Sequence, residues 1–451
     1  MPEIFVPHYY QKDAIEWVLT HNGAGLFLPP GLGKTPSTLM AIKVLLAHKQ
    51  IDRVLVVAPL RVCYAVWPNE VEKWEQFKGL SVAIVHGGAK DSIIRKKHDI
   101  YVINPEGLKW LFQNHTDLFV KYRFMLVLDE STLFKNHSSQ RFHLLKSNLQ
   151  LFARRVILTG TPAPNGLIQL WPQVYALDFG ARLGKFITHF RNKYFNKSYD
   201  GWGYELKDGA DEFIYGAIND IIMHKSHDEI TLPERIDNVI QVILPKVAVD
   251  AYNSIKNEFI LEHKESGETV TALNAASQVS KLKQIANGIV YSETREPVVI
   301  HTEKIDAVKE LVESLAGRPL LVVYEHMHEL ALLRKHLGDA PTIGGGVGST
   351  ALTKTIADWS AGKLPILFLH PRAGGHGLNL QYGGCHDIVW FSIPFDLELY
   401  DQVNARVHRQ GVKNSVTIHH IAAKGTVDYN ILGVLKDKSA LQNALLEAVL
   451  K

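Results

Sequence analysis

Leu26-Phe27-Leu28-Pro29-Pro30-Gly31-Leu32-Gly33-Lys34-Thr35 is the stretch whose reading decides the fold. A short apolar run leads into a glycine-bearing loop, and a segment of helical periodicity follows from Pro36 to His48. A loop of this kind between a strand and a helix turns its backbone amides inward. The helix start adds the positive end of its dipole, so the segment is suited to cradling phosphate. Gly31, Leu32 and Gly33 are the expected cradle. Lys34 is the expected point charge on the β and γ phosphates of ATP, and Thr35 the hydroxyl that ligates Mg2+. Pro36 costs little there, because the first helical N–H groups have no intrahelical partner. The usual glycine five residues before Gly33 is Leu28 here, so the strict P-loop pattern is unmet, and alone the loop could be an ordinary turn.

Outward from it, apolar runs recur at residues 54–57, 82–85, 100–103, 125–128 and 156–158, with longer segments of helical periodicity between. Such β-branched and leucine runs without alternation indicate strands buried on both faces, hence a parallel sheet covered by helices. Polar groups close the runs: Ala58-Pro59, Asn104-Pro105, Asp129-Glu130 and Thr159-Gly160-Thr161. Open parallel sheets bind ligands beyond the carboxyl ends of their strands, so these groups are expected to form one site. A second α/β series follows at 320–323, 366–369, 388–391 and 416–418, with helices predicted over 399–408 and 429–435. Residues from about 167 to 300 read as a connecting region with helical protrusions. Gly201-Trp202-Gly203-Tyr204 and Lys207-Asp208-Gly209-Ala210 read as turns or an exposed hairpin. Pro233 disfavours helix at Leu232, which sets the expected domains at 1–232 and 233–451.

The 451 residues, 46% hydrophobic and 21% charged, suffice for two such cores. A net charge of +3 neither announces nor excludes a nucleic acid, so any phosphate-binding surface must be local. Two cysteines exclude a disulfide framework or a cysteine-based zinc site, and the 22 histidines show no metal-ligand spacing. The start of the chain lacks a basic region followed by an apolar run. No stretch approaches the roughly 18 apolar residues of a membrane span. A soluble cytoplasmic protein without a membrane partner is expected.

Asp129 and Glu130 end a four-residue apolar run. From there an aspartate can hold magnesium through water and a glutamate can orient or deprotonate the attacking water; a solvated strand end is the plainer alternative. Gln402, Arg406 and Arg409 lie at i, i+4 and i+7 of a predicted helix and so share one face. That face is either solvated or a pair of arginine fingers, whose planar donors stabilise the transferring phosphoryl. Because these arginines fall in the second series and Lys34 in the first, the second reading requires the two lobes to close during hydrolysis.

In this order, Gly-Leu-Gly-Lys-Thr, Asp-Glu, Leu158-Thr159-Gly160-Thr161-Pro162, Gly375-His376-Gly377-Leu378-Asn379-Leu380 and Gln402-x-x-x-Arg406-x-x-Arg409 resemble the motifs of superfamily 2 helicases. More narrowly, the chain resembles Swi/Snf-type DNA translocases. Further hallmarks are Pro164-Asn165, Arg406-Val407-His408-Arg409-Gln410-Gly411 and Gly425-Thr426-Val427-Asp428. The resemblance implies an α/β fold of two RecA-like parallel-sheet lobes in tandem with helical protrusions. It implies Gln11 as the adenine contact, and Gly377 and Gln402 near the nucleotide. Pro59, Arg61, Asn104, Thr159, Thr161, Arg372, Gly374 and Asn379 are implied to face DNA, with Thr159 and Thr161 coupling it to ATP. Residues 281–288 resemble the helix leading into the second lobe. The chain departs from the family at Ser131-Thr132, where Asp-Glu-Ala-His or Asp-Glu-Gly-His is usual, at His370-Pro371 for Ser-Thr, and at Gly411-Val412 for Gly-Gln. At Thr132 a hydroxyl thus replaces the histidine that relays between lobes.

The reading that follows is an ATP-dependent translocase on double-stranded or branched DNA, touching phosphates without reading sequence. It is expected to be a monomer when free. No accessory reader module is recognisable, so targeting is expected from the protrusions or a protein partner, and a minimal engine suits a bacterial or phage source. A strand-separating DNA or RNA helicase shares every ATPase motif. A P-loop switch protein leaves Arg406 and Arg409 unused, and a degenerate relative without turnover conflicts with the intact Lys34, Thr35, Asp129, Glu130, Arg406 and Arg409.

Overall fold

The computed structural model describes residues 2–160, 162–163, 166–197, 203–225, 232–266, 272–291, 296–344, 347, 349–374, 378–409 and 412–436. Thr161, Pro164, Asn165, Gly201, Trp202, Gly375, His376, Gly377, Gln410 and Gly411 lie outside the described residues. The chain divides into two compact units, Met1–Thr231 and Leu232–Lys451.

The first unit is built on β1 (Gly23–Phe27), β2 (Arg53–Val57), β3 (Val82–Ile84), β4 (Ile100–Ile103), β5 (Phe124–Asp129) and β6 (Phe152–Thr159). After an antiparallel hairpin of β7 (Phe195–Lys197) and β8 (Tyr204–Leu206) comes β9 (Ile222–His224). Seven strands form one parallel sheet in the order β3-β4-β2-β5-β6-β1-β9. Alternate residues of each central strand enter different cores. Leu55, Tyr101, Leu126 and Ile157 pack on one face, and Val54, Ile100, Met125 and Val156 on the other. Because side chains alternate across the pleat, a strand covered on both faces must be apolar throughout, as the uninterrupted runs require.

The second unit repeats the plan with β10 (Arg235–Val242), β13 (Leu320–Val323), β14 (Thr342–Ile343), β15 (Ile366–Leu369), β16 (Asp387–Trp390) and β17 (Val416–Ala423). A separate antiparallel pair, β11 (Ile289–Tyr291) and β12 (Pro297–Val299), precedes β13. The parallel order is β10-β17-β16-β13-β15-β14. Leu321, Leu367 and Ile388 face one core, and Val322, Phe368 and Val389 the other.

The stretch expected as a connecting region contributes a strand to each sheet. β9 is only three residues long. β10 is an edge strand whose Arg-Ile-Asp-Asn-Val-Ile-Gln-Val sequence is largely exposed, so neither carries a long apolar run. The helix expected over 399–408 is Leu397–Asn404. Its end is set by tight turns: the Arg406 N–H bonds the Val403 carbonyl at 2.9 Å and the Val407 N–H the Asn404 carbonyl at 3.1 Å. Val407 is thereby swung into the core, and Arg406 and Arg409 leave the helix, so they share no helical face with Gln402. Among the described residues no helix is long and apolar enough to cross a membrane.

Lys304 and Asp428, both with side chains 0% exposed, pair at 2.6 Å. Lys304 also donates to Asn287 Oδ1 at 2.7 Å. Asn287 in turn donates to Glu329 at 2.7 Å and Ser392 at 3.0 Å. This buried network ties the helices Glu303–Ser314, Met327–Leu337 and Val427–Lys436 to the residue that follows the helix Ala272–Ala286.

Candidate active site

β5, β6 and β1 are neighbours in the first sheet, and the polar groups that close them share its carboxyl edge. Beyond β1, the loop reaches the helix Lys34–Ala47 through Gly33, whose φ of 71° is left-handed, a conformation glycine adopts without strain. A Cβ at Gly33 would lie 2.2 Å from Gln11 Nε2. Gln11, buried in the helix Tyr9–Thr20, donates to the Leu32 carbonyl at 3.2 Å and accepts from the His8 N–H at 2.9 Å. The expected adenine contact therefore abuts the expected phosphate loop. Lys34 Nζ donates to the carbonyls of Leu28 at 2.6 Å and Pro29 at 3.2 Å, drawing the loop around the ammonium. Thr35 occupies the first helical turn.

At the end of β5 the two carboxylates differ. Asp129 accepts from the Trp67 indole N–H at 2.9 Å. Burial pushes its pKa up to about 6, with the Glu130 charge acting in the same direction and the Trp67 hydrogen bond and Lys34 opposing. Glu130 sits at φ 71°, ψ 71°, where non-glycine residues are uncommon. Its Oε1 accepts from Thr132 Oγ1 at 2.7 Å and from Thr159 Oγ1 at 3.0 Å. Thr159, the last residue of β6, is fully buried. Ser131 Oγ donates to Gln173 Oε1 at 2.6 Å, and Gln173 Nε2 donates to the Pro162 carbonyl at 2.6 Å. The Asp-Glu loop is thus latched to the segment after β6.

A half-buried carboxylate whose charge is resisted by its surroundings suits a hard cation. A second carboxylate with one oxygen held by two hydroxyls is fixed in orientation, as a group that positions a water must be. Thr35 and Asp129 supply the hard oxygen donors that magnesium prefers, so the residues present fit that ion.

The other expected residues of the first unit lie on the same edge. Pro59 caps the helix Leu60–Ala65, which carries Arg61 in its first turn. Asn104 follows β4 and donates to Glu106 at 2.6 Å. In the second unit, Arg372 and Gly374 belong to the short helix Pro371–Gly374 beyond β15. Arg372 lines a cavity of about 460 Å³ with Lys283, Glu325, His326, His370 and Phe395. Arg409 Nη1 donates to Asn379 Oδ1 at 2.5 Å, and the Arg406 carbonyl accepts from the Leu380 N–H at 3.1 Å. The Asn379 segment and the arginine segment are therefore held together. Gln402 is buried and donates to Glu398 one turn back in its own helix, at 3.1 Å.

Sequence reading missed Trp67 and Gln173. Each reaches the Asp-Glu loop from more than 40 residues away, and no local spacing signals such a contact.

Residues 10–290 match the family model for the SNF2-related domain. Protein p41 of Acyrthosiphon pisum secondary endosymbiont phage 1 is 35% identical over 465 residues, covering 99% of each chain. DNA annealing helicase and endonuclease ZRANB3 of Homo sapiens is 24% identical over 97% of this chain and 40% of its own length. DNA repair and recombination protein RAD54-like of Gallus gallus is 24% identical over 92% of this chain and 63% of its own. The chain thus spans less than two thirds of these two longer relatives. Among solved structures, the Sulfolobus solfataricus SWI2/SNF2 ATPase core in complex with dsDNA is similar with a TM-score of 0.46 at 21% identity, over 98% of this chain and 94% of that one.

Proposed function

The chain belongs to the SNF2-related family, the Swi/Snf-type ATPases of helicase superfamily 2, and from this premise we propose that it hydrolyses ATP to translocate along double-stranded DNA. The observation that carries the reading is the convergence of Lys34, Asp129, Glu130 and Thr159 at the carboxyl ends of three adjacent parallel strands. Branched DNA is a natural substrate of such an engine. The relatives named for DNA annealing and for DNA repair and recombination support a DNA partner.

In this reading the amides of Gly31, Leu32 and Gly33 and the Lys34 ammonium bind the β and γ phosphates, and Gln11 contacts the base. Thr35 and Asp129 would hold magnesium, which supplies charge neutralisation on the phosphates when bound. Glu130 orients the attacking water and takes its proton. Arg406 and Arg409 are the arginine fingers, and Gly377 and Gln402 lie near the nucleotide. Pro59, Arg61, Asn104, Thr161, Arg372, Gly374 and Asn379 face the DNA backbone, whereas Thr159, expected on that surface, is fully buried against Glu130 and serves only to couple the DNA side to the ATP site. Domain limits of 1–232 and 233–451 and a free monomer complete the proposal, with a protein partner supplying targeting.

ATP turnover with and without duplex DNA tests it, beside triplex displacement and forked-duplex unwinding. Turnover should rise several-fold with duplex, fall to background in Lys34→Ala and Glu130→Gln, and accompany triplex displacement. DNA-independent turnover would sink the motor reading, and fork unwinding without triplex displacement would identify a strand-separating helicase instead.

A further inference from the structure

The family's usual histidine at the fourth position of the Asp-Glu motif is Thr132 here, and its hydroxyl has a definite use. Thr132 begins beyond Glu130 in the short 3-10 turn Ser131–Phe134 and reaches back two residues. Thr159 arrives from the neighbouring strand β6. Both hydroxyls donate to the same oxygen, Oε1 of Glu130. Glu130 itself stands in a left-handed backbone conformation, so its carboxylate is aimed by that strained turn and by the two donors together. The Glu130 N–H is bonded to the Leu158 carbonyl at 3.0 Å, which fixes the turn to β6.

We propose that Thr132 is a positioning residue for hydrolysis: with Thr159 it clasps Oε1 of Glu130, so that Oε2 is the oxygen presented to the attacking water. The proposal rests on the assignment of Glu130 as the general base. In the step it serves, the water oxygen bonds to the γ phosphorus and one water proton passes to Oε2. The bond from the γ phosphorus to the bridging oxygen breaks, and its electron pair leaves with ADP. A carboxylate free to rotate would spend part of its time with neither oxygen aligned, and misalignment of a reacting group lowers turnover more than binding. The position that relays between lobes in relatives therefore acts locally in this chain, on the adjacent glutamate.

Thr132→Val keeps the side-chain shape and removes the hydroxyl, while Thr132→Ser keeps the hydroxyl. With saturating duplex DNA, Thr132→Val should lower kcat about tenfold, the loss expected for one hydrogen bond to a charged group. KM for ATP and the affinity for trinitrophenyl-ATP should stay within about twofold. Thr132→Ser should restore most of kcat. In a Glu130→Gln background, Thr132→Val should cause no further loss in single-turnover hydrolysis, because the group it positions is gone. An unchanged kcat, a loss confined to nucleotide affinity, failure of serine to rescue, or an undiminished loss on top of Glu130→Gln each overturns the clasp. Wild-type turnover in Glu130→Gln would instead show that Glu130 is not the base, and the clasp would fall with that assignment.

Discussion

The Trp67 indole N–H donates to Oδ2 of Asp129 at 2.9 Å, across 62 residues of sequence. Trp67 is itself fully buried in the core beneath helix Lys34–Ala47. A buried ring cannot swing away, so the donor fixes the rotamer of the carboxylate that it touches.

Trp67→Phe keeps an aromatic side chain in the core but loses the pyrrole part of the indole and with it the donor. Partners of metal-ligating groups typically govern affinity by 10- to 100-fold. The magnesium concentration that half-saturates nucleotide binding should rise about tenfold. Affinity for trinitrophenyl-ATP in EDTA should stay unchanged. A loss of affinity in EDTA as well would assign Trp67 to the nucleotide pocket rather than to Asp129.

Asp129 titrates near 6 because burial opposes its charge. A carboxyl whose pKa rises on folding holds its proton more tightly in the folded state, so its ionisation costs stability above pH 6. That cost fades as the pH falls through 6 toward 3.8. Asp129→Asn, melted without nucleotide or magnesium, should therefore be more stable than wild type at pH 7, by up to about 3 kcal/mol, while losing turnover. The stability gain should shrink by pH 4.5. Equal gains at both pH values would refute the desolvation account.

Gly33→Ala forces a side chain into a left-handed site, at a cost of roughly 1 kcal/mol, and drives its Cβ onto Gln11 Nε2. Gln11 must then release the Leu32 carbonyl. We expect a modest drop in melting temperature and a larger proportional loss of ATP affinity than of GTP affinity, measured by competition against a fluorescent nucleotide. Parallel losses would mean that Gln11 does not read the base.

Lys304→Met strands the buried carboxylate of Asp428. Removing one partner of such a pair typically costs about 3–5 kcal/mol. Adding Asp428→Asn removes the stranded charge and keeps an acceptor for the Ala423 N–H, which Asp428 bonds at 2.9 Å. Thermal unfolding should show the double variant recovering more than half of the loss. Additive destabilisation would contradict the pairing.

The strands at the centre of both sheets were legible because burial on two faces leaves no polar position, and the runs at 54–57, 100–103 and 125–128 carry that signature directly. Of the edge strands, β3 was legible from its run at 82–85, whereas β9, β10 and β14 were not. β10 has one neighbour and β9 three residues, so neither needs a continuous apolar run. The arginines illustrate a different limit. Spacing placed Gln402, Arg406 and Arg409 on one helical face. The burial of Val407 and the bond from Leu380 to the Arg406 carbonyl end the helix first, and those partners are distant in sequence.

By itself, the sequence determined the two parallel sheets, the glycine-bearing loop between β1 and the helix that begins at Lys34, and the order of the groups closing each strand, because these follow from local periodicity and residue type. Only the tertiary structure decided that Trp67 holds Asp129, that Thr132 and Thr159 meet on one oxygen of Glu130, and that Arg409 is tied to Asn379. Those contacts depend on where strands and turns from separate parts of the chain bring side chains within hydrogen-bonding distance, and a linear pattern does not encode that distance.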